Sequence, residues 1–273
     1  MRIDARRIAA ATALAVLAGC SQEEPLLPSA HEVIVHALLD AGARDQYVFV
    51  QTTNGAFDEA KPVAGALVTL TLPDGRSLRA DEERDSSRFI TDNDEPRVTS
   101  AYRFSLDKLG FSIVPGGTYR LRVELPDARV VTGHTTVPNA VAISIMPPAQ
   151  LFNYVRDTLS LAWPRVPGAR SYEVSVNSGG DALHGPNRNP RAIFADTSIK
   201  LNSRTLEGSG DHDFFVRGYM HRLIVSAVDS NYYDYYRRTS DSFTGVGVIG
   251  HLAGALGVFG SIVEIDARML DVR

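Results

Sequence analysis

The sequence predicts an all-β protein with two antiparallel β-sandwich domains behind a short N-terminal leader. Most apolar stretches are short and alternate with polar residues, and few carry a helical period. The 22 glycines and 14 prolines lie mostly between these stretches, where turns are expected. The chain has 273 residues, which is enough for two domains of ordinary size.

The N-terminus has the parts of a secretory signal. Arginines within residues 1–7 supply positive charge, a short apolar run covers 8–17, and the small pair Ala18-Gly19 precedes Cys20, the only cysteine. The apolar run is too short to cross a bilayer as a helix. We therefore expect residues 1–19 to be a signal peptide that is removed.

The stretch Leu17-Ala18-Gly19-Cys20 resembles the bacterial lipobox. The resemblance implies a diacylglyceryl thioether on Cys20 and an acylated new N-terminus. Ser21 stands where a retention signal would place Asp, which implies sorting outward, and residues 20–30 then form a lipidated tether. An ordinary secretory signal with a coincidental cysteine is the alternative.

The first sandwich is predicted over residues 31–140. The turns Pro73-Asp74-Gly75 and Pro115-Gly116-Gly117 separate alternating segments whose apolar residues share one face. We predict its strands over 33–39, 47–50, 66–72, 88–90, 101–106, 119–125 and 130–137.

The second sandwich is predicted over residues 150–273, and it ends in a glycine-rich apolar run over 243–265. We expect this run to fold over the second sandwich as a loop that ends in a strand over 262–265. Its GxGxxG spacing is not a dinucleotide site, because too little chain follows to complete that fold. A membrane-spanning helix is the remaining alternative, and its many glycines disfavour it. The other strands are predicted over 159–163, 172–176, 193–194, 199–201 and 223–228.

Composition excludes several classes of protein. The net charge of −4 argues against general nucleic-acid binding, and the single cysteine excludes a disulfide framework and a cysteine-based zinc site. Removing the leader, which is rich in arginine, makes the mature chain more acidic. The overall charge therefore predicts no basic patch for a membrane surface.

Two stretches resemble known β modules. Residues 62–68 resemble the start of prealbumin-like or carboxypeptidase-regulatory-like modules of bacterial surface proteins, and 117–121 resembles a late strand of such modules. Residues 161–174 resemble the early strands of a fibronectin type III domain. That resemblance implies that Trp163 packs between two sheets and that Tyr172 begins the next strand.

The whole layout resembles a family of bacterial outer-membrane lipoproteins defined by a domain of unknown function and often encoded beside TonB-dependent receptors. The lipobox, the strand over 63–72, the hairpin over 117–138, a tyrosine-rich segment and the glycine-rich ending over 254–260 carry this resemblance. It implies an outer-membrane location, contact with the bilayer through acylated Cys20 and a TonB-dependent receptor as partner. The family has no established activity.

The tyrosine-rich segment holds the best candidate binding residues, Tyr232, Tyr233, Tyr235, Tyr236 and Arg237. In an extended strand, alternate tyrosines would lie on opposite faces, so one face could stay exposed. Exposed tyrosines beside an arginine suit stacking on sugars or peptides, or docking to a receptor. Burial of both faces by the glycine-rich ending is the alternative interpretation.

No catalytic or cofactor-binding pattern stands out. Asp211-His212-Asp213 is typical of a solvated turn, and the acidic run over 92–95 lacks the spacing of a known calcium loop. We therefore expect a non-enzymatic accessory or binding module without metal or cofactor. A glycan-active hydrolase with two carboxylates and a structural or adhesive surface protein are the alternatives.

Overall fold

The computed structural model describes residues 32–53, 61–83, 101–141, 150–153, 155–177, 191–202, 215–236 and 250–273. This part of the chain is mostly β-strand, so the predicted all-β class is confirmed. The predicted strand over 88–90 lies outside the described residues. The prealbumin-like and fibronectin-like labels stay predictions.

The described strands follow one another along the chain with two short helices, α1 (Leu106–Leu109) and α2 (Ser230–Tyr236). The strands are β1 (Val33–Asp40), β2 (Asp45–Thr52), β3 (Lys61–Pro62), β4 (Leu67–Thr71), β5 (Ser77–Arg79), β6 (Asp81–Glu83), β7 (Ala101–Ser105), β8 (Thr118–Glu124), β9 (Val130–Thr136), β10 (Gln150–Phe152), β11 (Leu159–Ala162), β12 (Ser171–Asn177), β13 (Arg191–Phe194), β14 (Ser198–Leu201), β15 (Met220–Val228), β16 (Leu252–Ala253) and β17 (Leu256–Val272).

Three sheets make up the described part of the molecule. The large sheet has the strand order β13-β12-β15-β17-β1-β2-β7-β6, and β10 and β3 pair with β17 and β2 beside this path. A second sheet has the order β16-β9-β8-β4-β5, and β11 pairs with β14 in the smallest one. The large sheet therefore collects strands from both ends of the chain.

Two hydrophobic cores lie on the large sheet. In the first core, residues such as Val35 and Val50 of the large sheet pack in one cluster with Leu70 and Leu121 of the second sheet. The second core gathers the inward residues of β12, β15, β11 and β14. Trp163 lies in it, with its ring centroid 5.2 Å from that of Tyr172.

The long strand β17 contributes to both cores. Phe259 and Val263 belong to the first core, whereas Leu270 and Val272 belong to the second. We expected the glycine-rich ending to fold over the second sandwich, and in the structure the first half of β17 also pairs with β1. This pairing is parallel, as is that of β10 with β17, so the pairing is not antiparallel throughout as expected.

Strand alternation leaves one face of the large sheet turned away from the cores. In β1, Val33, Val35, Ala37 and Leu39 point into the first core, so His36 lies on the opposite face. The same alternation turns Glu173 of β12 away from the second core. We call this side the outer face, and α2 lies beside it.

Candidate functional site

The tyrosine-rich segment is the helix α2, and the expectation of an extended strand is wrong. Asp229 caps the helix, because its Oδ1 accepts a hydrogen bond from the backbone N–H of Tyr232 at 2.9 Å. Residues four apart share a face of a helix, so Tyr232 and Tyr236 lie together with ring centroids 4.4 Å apart. An Asp before a run without glycine or proline is the sequence signal that could have indicated this helix.

The helix packs closely against β17 at a residue without a side chain. A Cβ on Gly260 would lie 3.0 Å from the backbone nitrogen of Tyr232, so any larger residue there would require α2 to shift by a few tenths of an ångström. The side-chain amide of Asn231 donates to the carbonyl oxygens of Phe259 and His134 at 2.8 and 2.7 Å. These contacts hold α2 where the large sheet meets β9.

The carboxylate of Asp229 joins three elements. It is 4% exposed and accepts hydrogen bonds from the backbone N–H of Ser261 at 3.1 Å and from the hydroxyl of Thr135. Burial raises the pKa of Asp229, and these hydrogen bonds oppose the rise. The cap therefore fastens α2 to β17 and β9 as well as starting the helix.

Five half-buried rings form what we call the aromatic surface: those of His36, Tyr47, Phe49, Tyr235 and Tyr236. His36 and Phe49 stand opposite each other in the pairing of β1 with β2, and their ring centroids are 6.4 Å apart. Tyr47 stacks on Phe49 at 6.3 Å, and Tyr235 meets His36 edge-on at 5.9 Å. These rings belong to neither hydrophobic core, because they lie on the outer face.

A chain of polar contacts runs through the tyrosines of α2. The hydroxyl of Tyr232 donates to the carboxylate of Glu173, and Arg191 donates to the oxygen of that hydroxyl at 3.3 Å. The guanidinium of Arg191 also lies 4.1 Å from the ring centroid of Tyr236. This series of polar contacts ends at Tyr236, whose hydroxyl lies 2.6 Å from Nε2 of His36.

Burial shifts the charge states of these groups toward neutrality. It lowers the pKa of His36, and the positive charge of Arg191 acts in the same direction. It raises the pKa of Glu173, although the hydrogen bond from Tyr232 and the charge of Arg191 oppose that rise. His36 is therefore neutral near pH 7 and acts as a hydrogen-bonding aromatic ring.

This arrangement is suited to binding. Aromatic rings supply large contact area, and the hydroxyls and imidazole can hydrogen-bond to a partner at the same time. Because the cap and the buried contacts already fix α2, binding costs little further side-chain entropy. The site could therefore stack against a sugar ring, an aromatic side chain or another flat apolar group.

Residues 23–261 match the model of a family described as a domain of unknown function, DUF4249. The chain belongs to this family. The match includes α2, the first part of β17 and all described residues of the first core except Val263. No curated protein matches the chain significantly.

Two solved structures are similar to the chain only at a low level. One concerns host cell surface retention of a 1.5-MDa bacterial ice-binding adhesin, at 11% identity and a TM-score of 0.21, with 89% of this chain and 65% of that chain covered. The other is a β-1,2-glucanase from Parabacteroides distasonis, at 13% identity and a TM-score of 0.20, with 81% and 30% covered. The DUF4249 chain thus spans less than two thirds of either one.

The remaining predicted residues have different surroundings. Tyr233 lies under the guanidinium of Arg170, which is 4.9 Å from its ring centroid. Cys20, Arg237 and the acidic segments 92–95 and 211–213 lie outside the described residues. Within the described ranges, no three His, Cys, Asp or Glu side chains gather as metal ligands, and no helix is long and apolar enough to span a membrane.

Sequence reasoning missed four residues of the site: His36, Glu173, Arg191 and Asp229. Alternation alone predicts that an outward charged residue such as Glu173 is solvated, yet it is 6% exposed. Its contact with Tyr232, far along the chain, shows why a local pattern could not find it. The capping position of Asp229 is the one local signal for this group.

Proposed function

We propose that this DUF4249 protein is a non-enzymatic, lipid-anchored protein of the bacterial outer membrane. In this proposal it acts as an accessory binding module of a transport system, and the aromatic surface is its docking site. The observation that carries the docking role is that α2 and β1–β2 present fixed rings on a face that serves neither core.

The anchoring part of the proposal draws on residues 17–20. Their resemblance to a lipobox implies acyl chains on Cys20, and each buried methylene contributes about 0.8 kcal/mol to membrane binding. Two or more chains hold a protein stably where one chain is marginal. The outer-membrane location draws on the resemblance of the whole layout to a family of bacterial outer-membrane lipoproteins.

The docking part draws on the chemistry of the rings. Tyrosine and phenylalanine are enriched at protein–protein interfaces, where a few such residues supply most of the binding energy. Tyr235 is the most useful member for a test, because it is half-buried and its ring contacts the rings of His36 and Tyr236. A TonB-dependent receptor is the partner that the family resemblance suggests.

The non-enzymatic part of the proposal draws on the hydrogen bond that Glu173 already makes within the fold. Its carboxylate already accepts the hydrogen bond of Tyr232, which holds α2 in place. This contact favours a structural role for Glu173 over that of a general acid. Release of reducing sugar ends from envelope glycans by the purified protein, abolished by Glu173→Gln, would contradict the non-enzymatic role.

Co-purification tests the docking site. A tagged copy of the full chain, expressed in its own bacterium, should retain a TonB-dependent receptor after detergent extraction. Tyr235→Ala should lower receptor recovery about tenfold, since it removes one central ring of the surface. Tyr219→Ala is the matched control, because Tyr219 is also half-buried but lies beside the C-terminal end of β17.

Two results would contradict the docking proposal. One is the repeated absence of any receptor from the purified wild-type material. The other is equal receptor recovery with Tyr235→Ala and with Tyr219→Ala.

A further inference from the structure

The exposed face of the second sheet carries several arginines, which the negative net charge of the chain does not indicate. Along β8, buried apolar residues alternate with exposed Thr118, Arg120 and Arg122. Arg79 of the edge strand β5 is also exposed on this side. We call the surface formed by Thr69, Thr71, Arg79, Thr118, Arg120 and Arg122 the arginine face.

Strand register places these side chains next to one another. Thr69 of β4 pairs with Arg79 on one side and with Arg122 on the other. In the neighbouring row, Thr71 pairs with Arg120. Side chains directly opposite in paired strands lie about 5 Å apart, so the arginines alternate with hydroxyl groups across a flat surface.

Two of the arginines have no ion-pair partner among the residues that the structure describes. Arg122 forms an ion pair with Glu124 at 3.1 Å. Arg79 and Arg120 make no ion pair with any residue in the described ranges. The fold thus creates a local positive surface on a chain whose net charge is −4, although the total charge predicted no such patch.

A cleft of about 430 Å³ opens at one end of this face, lined by Arg120, Thr71 and Thr118 together with glycines of two turns. The turns approach closely, because a Cβ on Gly117 would lie 2.8 Å from the Pro73 ring. The hydroxyl of Thr118 lies 2.9 Å from that of Thr136 and can still hydrogen-bond to a ligand. The residues that line the cleft therefore offer a guanidinium and hydroxyls, and none of these lining residues is acidic.

We propose that the arginine face binds the phosphate groups of anionic lipids at a membrane surface. Guanidinium groups bind phosphate through paired hydrogen bonds, and hydroxyls add further donors. The flatness of the face suits a planar layer of headgroups, and the cleft beside Arg120 has room for one headgroup phosphate. Each arginine near an anionic membrane strengthens binding about fivefold.

The length of the N-terminal segment limits how far the fold lies from the proposed anchor. Residues 20–31 precede the first described residue, Glu32, and they span at most about 40 Å when extended. The anchor proposed above would therefore keep Glu32 within that distance of the membrane. The lipid binding proposed here does not require that anchor, and it is tested without it.

The test uses the full chain carrying Cys20→Ser, so that no acyl chain contributes. It is sedimented with vesicles of phosphatidylcholine, or of phosphatidylcholine and phosphatidylglycerol in equal amounts. We expect stronger binding to the anionic vesicles, weakened by added salt. The double variant Arg79→Gln/Arg120→Gln should bind the anionic vesicles about thirtyfold more weakly.

Arg156→Gln/Arg217→Gln is the matched control, since both arginines are exposed and lie outside the arginine face. The two substitutions remove the same amount of charge. This control should bind nearly as well as the parent chain. Equal binding to both kinds of vesicle, or equal losses in the two double variants, would overturn the proposal. Thermal stabilisation by inorganic phosphate without any vesicle binding would overturn it too, because the ligand would then be a free anion.

Discussion

Gly257 is the residue at which β17 comes closest to β1. Its φ is +106°, a region that favours glycine, and a Cβ there would overlap the carbonyl oxygen of Val35. Gly257→Ala should therefore lower the free energy of unfolding by about 3 kcal/mol or more, as measured by urea denaturation. Gly75→Ala is the control, because Gly75 also has a positive φ but has open space around it. It should cost only about 1 kcal/mol, and equal losses would contradict the close approach.

Glu173 makes stability depend on pH. Burial raises its pKa above the ordinary 4.5, so the folded state holds the proton more tightly than the unfolded state does. The contribution of Glu173 to stability therefore falls as pH rises from 4.5, and it levels off above the raised pKa. Glu173→Gln removes this titration, so its unfolding free energy relative to wild type should increase from acidic to neutral pH.

Urea denaturation of wild type and Glu173→Gln at an acidic pH and at neutral pH measures this change in relative stability. Glu264→Gln is the matched control, since it removes a carboxylate whose side chain is 43% exposed. Its stability relative to wild type should change less with pH. A Glu173→Gln variant whose relative stability is the same at both pH values would contradict the assignment.

At the scale of elements, α2 depends on its cap. Asp229→Ala removes the acceptor for the N–H groups of Tyr232 and Ser261 and for the hydroxyl of Thr135. We expect a loss of about 3 kcal/mol and faster amide exchange in α2, seen by hydrogen–deuterium exchange. Asp127→Ala, at an exposed turn, should cost less than about 1 kcal/mol and leave exchange in α2 unchanged. Protected amides in α2 of Asp229→Ala would show that another contact starts the helix.

The strands could be predicted from sequence where alternation and turns coincide. β4, β8 and β9 lie close to their predicted positions because each has one apolar face beside turns of proline, glycine or Asp. The helix α2 could not be found from its tyrosines, since aromatic residues favour strands and its cap bonds to distant residues. The site could not be predicted either, because its polar contacts join β1, β12, β13 and α2, which are far apart in the sequence.

At the scale of the whole molecule, β17 links the two cores into one unit. Its pairing with β1 depends on residues near opposite ends of the chain, and no local pattern encodes that register. Because one strand serves both cores, we expect them to unfold together. Phe259→Ala in the first core and Leu270→Ala in the second should each lower the midpoint of one shared thermal transition. Two separate transitions, with each variant moving only one, would contradict this coupling.

Our main proposal is that a lipid anchor at Cys20 holds this β-rich protein at the outer membrane. Labelling living cells with radioactive palmitate and isolating the protein tests it most directly. We expect label in the wild-type protein and none in Cys20→Ala. An unlabelled wild-type protein, or a Cys20→Ala protein labelled to the same extent, would contradict the claim.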